Sequence, residues 1–281
     1  WDNSPIKWRV LDTKTNMSGA REGDGFFLLS DALLGTGECG DVYFDDTLYS
    51  YSNVWQDSKA KTWCNNFYSG GFSGGEQGAV LAATKSDGKF TSSIFNIPFA
   101  ASENILNGDK VFFLSAEEAE NSAYGFDSDN APVANYGDSA GVWWLRSPCT
   151  YDTRCAGIVT STGYVNFDYA NEDCAARPAF NLDPNAVLLV SAAAGGKSAD
   201  GIVKIPEYSG NEWKLTILDD TRTFKVTETA AAGKPGNTIT LNFSGVRTGT
   251  NEYISVIIAG ESGVTHYGRI MKPTATDTQF S

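Results

Sequence analysis

The stretch Trp-Trp-Leu-Arg-Ser-Pro at residues 143–148 and the similar stretch Ala-Arg-Pro-Ala-Phe at residues 176–180 decide how the first part of the chain folds. Each stretch joins apolar residues to an Arg and a Pro. Arg offers a rigid fork of donors for carbonyl or carboxylate oxygens, and Pro fixes φ and interrupts strand pairing. Both stretches are therefore interpreted as structural anchors, whose principal residues are Trp143, Trp144, Arg146, Arg177 and Phe180.

The residues between the two anchors are rich in Tyr, Asn and Asp. The same mixture, together with small residues, is typical of antibody recognition surfaces. It predicts ligand binding rather than catalytic turnover. The candidate ligand-binding residues are Tyr151, Asp152, Arg154, Tyr164, Asn166, Asp168, Tyr169, Asn171 and Asp173.

A β-hairpin is predicted inside this insert. Residues 156–160 and 164–169 are strand-like, and Ser-Thr-Gly at 161–163 supplies a tight turn. Alternation places Val165 and Phe167 inward. The side chains of Tyr164, Asn166 and Asp168 then lie together on the other face. Polar residues on exposed strands are common, so an ordinary solvated surface is the alternative interpretation.

Composition excludes several classes of function. The 281 residues are 41% hydrophobic with a mean hydropathy of −0.25, which is sufficient for a substantial core. The net charge is −13 without a basic cluster, which argues against nucleic acid and anionic membranes as partners. No apolar run approaches the roughly 20 residues of a membrane span. The chain begins with Trp1 rather than Met, as expected after removal of a signal peptide or membrane anchor.

Histidine and acidic residues give little support for a metal or cofactor. The single His, His266, argues against zinc sites with several His ligands and against catalytic triads. The acidic stretch 127–130 lacks the ligand spacing of a calcium loop and is interpreted as a surface loop. No metal and no cofactor are predicted.

The five cysteines contain no Cys-x-x-Cys pair, so a zinc ribbon and a thioredoxin motif are excluded. Cys149, Cys155 and Cys174 lie in or beside the insert. One disulfide among these three is compatible with export, and the odd total leaves at least one thiol over. Cys39 and Cys64 are interpreted as small buried apolar residues.

Local signals predict the helices of the first part. N-cap residues begin helices after Ser58, Ser73 and Ser115, and the last two belong to capping boxes. The second box explains the carboxylate of Glu118 better than a catalytic pair does. The apolar run 110–114 predicts a strand.

The composition changes near residue 190. Residues 191–201 are small and linker-like, and short β runs separated by turns follow without helical periodicity. These features predict an immunoglobulin-like β-sandwich. The predicted organisation is an α+β first domain (1–190), a linker (191–201), an all-β sandwich (202–272) and a tail or linker (273–281).

Five motifs in fixed order carry a family resemblance. They begin at Ile6 (Ile-Lys-Trp-Arg-Val-Leu), Phe27 (Phe-Leu-Leu-Ser-Asp), Asp109 (Asp-Lys-Val-Phe-Phe-Leu-Ser-Ala-Glu-Glu-Ala), Trp143 (Trp-Trp-Leu-Arg-Ser-Pro) and Arg177 (Arg-Pro-Ala). Together they cover about residues 5–182 and resemble a family of uncharacterised bacterial surface domains with a C-type-lectin-like fold. Variable proteins of diversity-generating retroelements share that fold. Their mutagenesis favours Tyr, Asn, Asp, Ser, Cys and Thr, as in residues 149–174.

The resemblance implies an extracellular or cell-surface, non-catalytic binding or adhesion protein. Its partner would be a protein or glycan on another cell or surface, with no nucleic acid and no direct membrane insertion. Hypervariability of residues 149–174 would be the narrower form of this hypothesis.

Two other functions stay open at this point. Formylglycine-generating oxidases share the lectin-like fold and use a cysteine pair, for which Cys149 with Cys155 or Cys174 are candidates. Only Arg146, Arg154 or Arg177 would lower a thiol pKa there, and the expected His is missing. The remaining alternative is a structural spacer of a surface protein.

Overall fold

The computed structural model describes residues 5–35, 42–47, 50–126, 132–194, 201–228, 232, 234, 236–250, 252–261 and 263–281. The chain divides into two compact units, Trp1–Pro184 and Asn185–Ser281. Within the described ranges, no helix has the length and apolar character needed to cross a membrane.

Short strands make up most of the first unit. They are β1 (Trp8–Asp12), β2 (Phe26–Ser30), β3 (Val42–Tyr43), β4 (Val80–Leu81), β5 (Ala83–Lys85), β6 (Phe90–Thr91), β7 (Pro98–Phe99), β8 (Leu106–Asp109), β9 (Asn135–Tyr136), β10 (Ser139–Ala140), β11 (Trp143–Pro148), β12 (Cys155–Val159), β13 (Val165–Tyr169), β14 (Asp173–Cys174) and β15 (Ala179–Leu182). The helices are α1 (Lys59–Gly71), α2 (Gly74–Ala79) and α3 (Ala116–Ala119), with single 3-10 turns at Trp55–Asp57 and Ser122–Tyr124.

The sheet β1-β2-β15-β4 joins the start of the unit to its end. β1 and β2 form the hairpin that the alternating sequence predicts, with Trp8 opposite Ser30. β15 then pairs antiparallel with β2, so that Phe180 lies opposite Leu28. The ring of Phe180 meets the ring of Trp8 edge-on at 4.8 Å. Burial of these aromatic rings fixes the second anchor against the opening hairpin.

The sheet β11-β12-β13 carries the insert. β12 and β13 pair antiparallel, with Val159 opposite Val165 and Cys155 opposite Tyr169. Gly163 in the turn has φ of 85°, a left-handed conformation that glycine adopts without strain. The predicted hairpin is therefore confirmed.

The helix starts follow their N-cap signals. The Ser58 side chain accepts from the Lys61 amide at the start of α1. Complete capping boxes begin α2 at Ser73 and α3 at Ser115. The prediction that Glu118 belongs to a capping box is confirmed.

Residues 110–114 do not form the predicted strand. Val111, Phe112, Phe113 and Leu114 are all buried, but only Phe112 makes an isolated bridge, to Ala179. Their apolar character reflects burial on several sides and not pairing in a ladder. Apolar runs of this length do not distinguish the two cases.

The second unit also consists of short strands. They are β16 (Val187–Ala192), β17 (Gly201–Lys204), β18 (Trp213–Ile217), β19 (Lys225–Val226), β20 (Leu241–Ser244), β21 (Ile254–Gly260), β22 (Gly263–Met271) and β23 (Gln279–Phe280). They form the sheets β16-β18, β17-β22-β21 and β19-β20-β23. His266 lies on β22, as a strand residue.

The predicted fold class is wrong. Strands in many small sheets dominate, and helices account for about 13% of the structure, so the chain is β-rich and not a clear α+β C-type-lectin-like domain. The second unit is not a clear immunoglobulin-like sandwich either. A sandwich needs two sheets that bury a shared face, whereas Trp213, Leu215 and Ile258 on these strands are more than 40% exposed.

The division between the units also differs from the predicted domain limits. Residues 187–190, assigned above to the first domain, and residues 191 and 192 of the predicted linker form β16, which pairs with β18 in the second unit. The predicted tail contains β23, which pairs with β20. The small residues of 191–201 had suggested a linker, but Ser191 and Ala192 pair with β18 and so belong to a sheet.

Candidate recognition surface

The frame, defined here as Trp143–Pro148 and residues 176–180, lies in the interior of the first unit. Trp143 and Trp144 are completely buried, and Phe180 is 4% exposed. The indole Nε1 of Trp144 donates to the carbonyl of Val42, which lies about a hundred residues earlier in the sequence. The expected burial of these aromatic residues is observed.

Arg146 is the centre of a buried ion network. Its Nη1 donates to Glu118 at 2.6 Å and to the carbonyl of Phe113 at 2.7 Å, and its Nη2 donates to Asp87. Lys85 completes the network, 2.7 Å from Asp87 and 2.6 Å from Glu118. Two cations therefore face two carboxylates, and the network joins β11 to α3 and to the segment after β5.

The network shifts the pKa values of Glu118, Lys85 and Arg146. Burial alone would raise the pKa of Glu118, but the charges of Arg146 and Lys85 outweigh it and hold that pKa well below its ordinary value. Burial would lower the pKa of Lys85, yet Glu118 and Asp87 raise it. Glu118, Lys85 and Arg146 therefore stay charged at neutral pH, because each has an oppositely charged partner at hydrogen-bond distance.

Arg177 differs from Arg146 because the hydrogen bonds it donates go to backbone carbonyls, whereas those of Arg146 also go to carboxylates. It donates to Ser30 at 3.0 Å and to Pro132 at 2.9 Å. Its guanidinium carbon lies 4.9 Å from the ring centre of Trp143. Burial, together with the charge of Arg9, lowers the pKa of Arg177 to about 9.

The loop between β11 and β12 is held by one buried side chain, Asn53. Its Nδ2 donates to the carbonyls of Cys149 at 3.2 Å, Asp152 at 3.2 Å and Cys155 at 2.8 Å. The backbone N–H of Asn53 also donates to the carbonyl of Thr153. Four contacts from one residue fix the loop backbone, while the Tyr151 and Arg154 side chains remain exposed.

We call the loop residues Tyr151, Asp152 and Arg154, together with the two tyrosines that flank Arg154, the loop patch: Tyr51, Tyr151, Asp152, Arg154 and Tyr169. The guanidinium carbon of Arg154 lies 5.9 Å from the ring centre of Tyr51 and 5.7 Å from that of Tyr169. Tyr151 is 62% exposed, and its ring contacts the half-buried Phe167 at 5.8 Å. Two aromatic rings, Tyr51 and Tyr169, thus flank one guanidinium, and the exposed Tyr151 lies on the same loop as that guanidinium.

Asp152 orients Arg154 within the loop patch. Arg154 Nε lies 3.0 and 3.2 Å from the two carboxylate oxygens of Asp152, and Nη2 binds the same group. These hydrogen bonds lower the pKa of Asp152 to about 2. Arg154 carries a positive and Asp152 a negative charge, so the pair has no net charge. Such a pair suits contact with a polar, uncharged ligand.

Tyr164, Asn166 and Asp168 lie on a different face of β13 from Tyr169, because side chains alternate along a strand. Tyr164 is 43% exposed and its ring contacts Phe95 at 6.0 Å. Asn166 Oδ1 accepts from the next amide at 2.9 Å, and Asp168 Oδ1 does the same at 2.8 Å. The predicted residues therefore form two surfaces and not one.

A groove of about 520 Å³ adjoins Tyr164. Its apolar lining includes Ile94, Phe126 and Pro132, and its polar lining includes Glu120. The Glu120 carboxylate already accepts from the Ser93 amide at 2.9 Å. Asn171 and Asp173 are exposed, and Asp173 lies on β14 opposite Tyr43, so neither belongs to the contacts of the loop patch.

The model of a family described as "Domain of unknown function (DUF6273)" matches residues 24–184, more than half of the chain. The chain belongs to this family. The family segment contains the frame, Asn53 and the loop patch, and it ends at the last residue of the first unit. No curated protein and no solved structure matches the chain.

Sequence reasoning missed three contributors to this region. Tyr51 completes the loop patch, Asn53 fixes the loop, and Phe95 supports Tyr164. The Tyr and Asn near residue 50 have the same residue types as the insert, which was the available signal. Among the described residues, no group of three or more His, Cys, Asp and Glu is placed to hold a metal ion, and the acidic stretch 127–130 lies outside those residues.

Proposed function

We propose that this protein is an extracellular, non-catalytic binding or adhesion protein whose ligand contacts the loop patch. The observation that carries the proposal is that the half-buried Tyr51 and the exposed Tyr169 flank Arg154, which Asp152 orients on a loop whose backbone is fixed by Asn53. Tyr and Arg often dominate binding energy because they bury a large area and keep a polar end.

The fixed loop backbone supports binding in a second way. Ordering a mobile loop costs free energy at the moment of association, and a loop that is already held avoids that cost. The buried frame below the loop adds rigidity at its two ends. A protein or glycan on another cell or surface is the partner that this polar and aromatic surface fits.

Three further observations support this proposal over the alternatives. An oxidase of the formylglycine-generating type needs an activated thiolate, whereas burial and the neighbouring Cys149 raise the pKa of Cys155 to about 12. The ordered motifs that resemble bacterial surface domains support the cell-surface location. A pure spacer would not need an oriented Arg154 and a Tyr151 that is 62% exposed on the same loop.

Binding of the labelled protein to a printed glycan array and to intact bacterial and animal cells tests the proposal. Tyr151→Ala combined with Tyr169→Ala should weaken binding about 100-fold, if each residue contributes ~1–2 kcal/mol. The matched control is Tyr253→Ala, because Tyr253 is also exposed and contacts an arginine, Arg269, in the second unit. Absence of binding to every surface, or equal binding by the double variant, would overturn the proposal.

A further inference from the structure

Two buried cysteines, Cys149 and Cys155, lie at the two ends of the loop between β11 and β12. Pro148 lies opposite Ala156 in the β11–β12 pair, so the register continues to Cys149 opposite Cys155. The Cys149 amide donates to the Cys155 carbonyl at 3.0 Å, which confirms that the two residues face each other. Directly opposed residues of an antiparallel pair point to the same side of the sheet.

The spacing between opposed residues suits a covalent link. Hydrogen-bonded partners in antiparallel strands have Cα atoms about 5.5 Å apart, and disulfides most often join Cα atoms about 5.5–6 Å apart. The side chain of Asn53 also touches the carbonyls of both cysteines and so holds the two backbones together. The effect of Cys149 on the pKa of Cys155 supports the closeness of the thiols.

We propose that Cys149 and Cys155 form an intramolecular disulfide that closes the loop carrying Tyr151, Asp152 and Arg154. The oxidant is a disulfide, either small or carried by an oxidoreductase. One thiolate attacks it and forms a mixed disulfide with release of one thiol. The second cysteine then displaces the other half, so that two protein thiols lose two electrons and two protons, and the oxidant becomes two thiols.

The link would act on the loop alone. Its ring contains residues 149–155, so it restricts the conformations of the loop in the unfolded and the transiently open states. The consequence is a loop patch that keeps its shape without bound ligand. Formation of the link does not depend on the proposed binding function, because it follows from the register of β11 and β12.

Refolding in a buffer of reduced and oxidised glutathione, followed by peptide mapping, tests the proposal. Trypsin cuts after Arg146 and Arg154, and a glutamyl protease cuts after Glu172, so Cys149, Cys155 and Cys174 fall on separate peptides. We expect peptide 147–154 linked to peptide 155–172, and loss of this species with a reductant or in Cys149→Ser. The thiol of Cys64, buried in α1, serves as the internal control and should be alkylated after denaturation.

The link should raise the Tm of the first unit by on the order of 5 °C, reversibly on reduction. Alkylation of both Cys149 and Cys155 after oxidation would overturn the proposal. So would a glutathione adduct on either cysteine without the internal link, or a link from 147–154 to the peptide that begins at Asp173. These results are read by mass, so they are independent of any loss of ligand binding.

Discussion

Arg146 and Arg154 are eight residues apart, and both bind carboxylates, but they do so in opposite surroundings. Arg146 is fully buried and faces two carboxylates and two backbone carbonyls. The side chain of Arg154 is 50% exposed and faces one neighbouring carboxylate, Asp152. A buried charge that loses its partner is costly, whereas an exposed pair contributes little to stability. The frame thus contributes to the stability of the fold, whereas the loop patch contributes little to stability and is available for ligand binding.

The largest effect should come from Arg146→Met. This substitution keeps side-chain length but leaves the buried carboxylates of Asp87 and Glu118 with Lys85 as their cation. We expect a loss of ~3–5 kcal/mol in the free energy of unfolding, measured with urea. Arg154→Met is the matched control and should leave the urea midpoint unchanged. Equal losses in the two variants would remove the distinction between frame and loop patch.

Trp144→Ala should cost a similar amount. The residue is completely buried and its ring meets Phe44 at 5.6 Å, so the substitution leaves a cavity and removes the hydrogen bond to Val42. We expect ~3–5 kcal/mol by the same measurement. Trp213→Ala is the control, because Trp213 is 49% exposed in the second unit. A small loss in the free energy of unfolding for Trp144→Ala would show that the frame rearranges to fill the cavity.

Low pH should weaken the frame through Glu118. The pKa of this acid is lowered on folding, so its contribution is complete above its ordinary value of 4.5 and is lost as pH falls below it. The difference in unfolding free energy between the wild type and Glu118→Gln should therefore shrink from pH 5 to pH 3. A constant difference across this range would mean that the carboxylate is not held charged by Arg146 and Lys85.

The smallest effect on stability should come from Tyr164→Ala combined with Asp168→Asn. Tyr164 is 43% exposed, and Asn retains the Oδ1 that accepts from the Tyr169 amide. We expect an almost unchanged Tm and a smaller loss of binding than for Tyr151→Ala with Tyr169→Ala. A complete loss of binding would instead place the ligand on the face of Tyr164, Asn166 and Asp168.

Local features of this molecule were predictable from sequence, and long-range ones were not. The capping box at Ser115 and the hairpin with its turn at Gly163 depend on neighbours a few residues apart. The carboxylates that face Arg146 are 59 and 28 residues away, and no spacing rule connects them. Glu118 was interpreted as a capping residue, which is correct, but its second role in the ion network needs the tertiary fold.

The recognition surface shows the same limit. Alternation correctly placed Val165 inward and Tyr164 outward, because it is a property of one strand, whereas Asn166, Phe167 and Asp168 are all half-buried. It did not show that Tyr51 joins Tyr169 around Arg154, since that contact depends on a loop more than a hundred residues earlier. The predicted fold class was wrong for a related reason, because ordered motifs and short β runs do not show which strands pair with which.

The side chains of Asn166 and Asp168 have a consequence for behaviour at high concentration. β13 is the outer strand of its sheet, and Tyr164 and Ala170 bond to β12, so the amides of Phe167 and Tyr169 point outward. Exposed amides of this kind are templates for pairing with a second chain and for aggregation. Here each amide is already occupied by the residue before it. Valine in place of Asn166 and Asp168 would preserve the strand but leave the amides of Phe167 and Tyr169 without these hydrogen bonds. At high concentration the protein would then associate through the edges of β13.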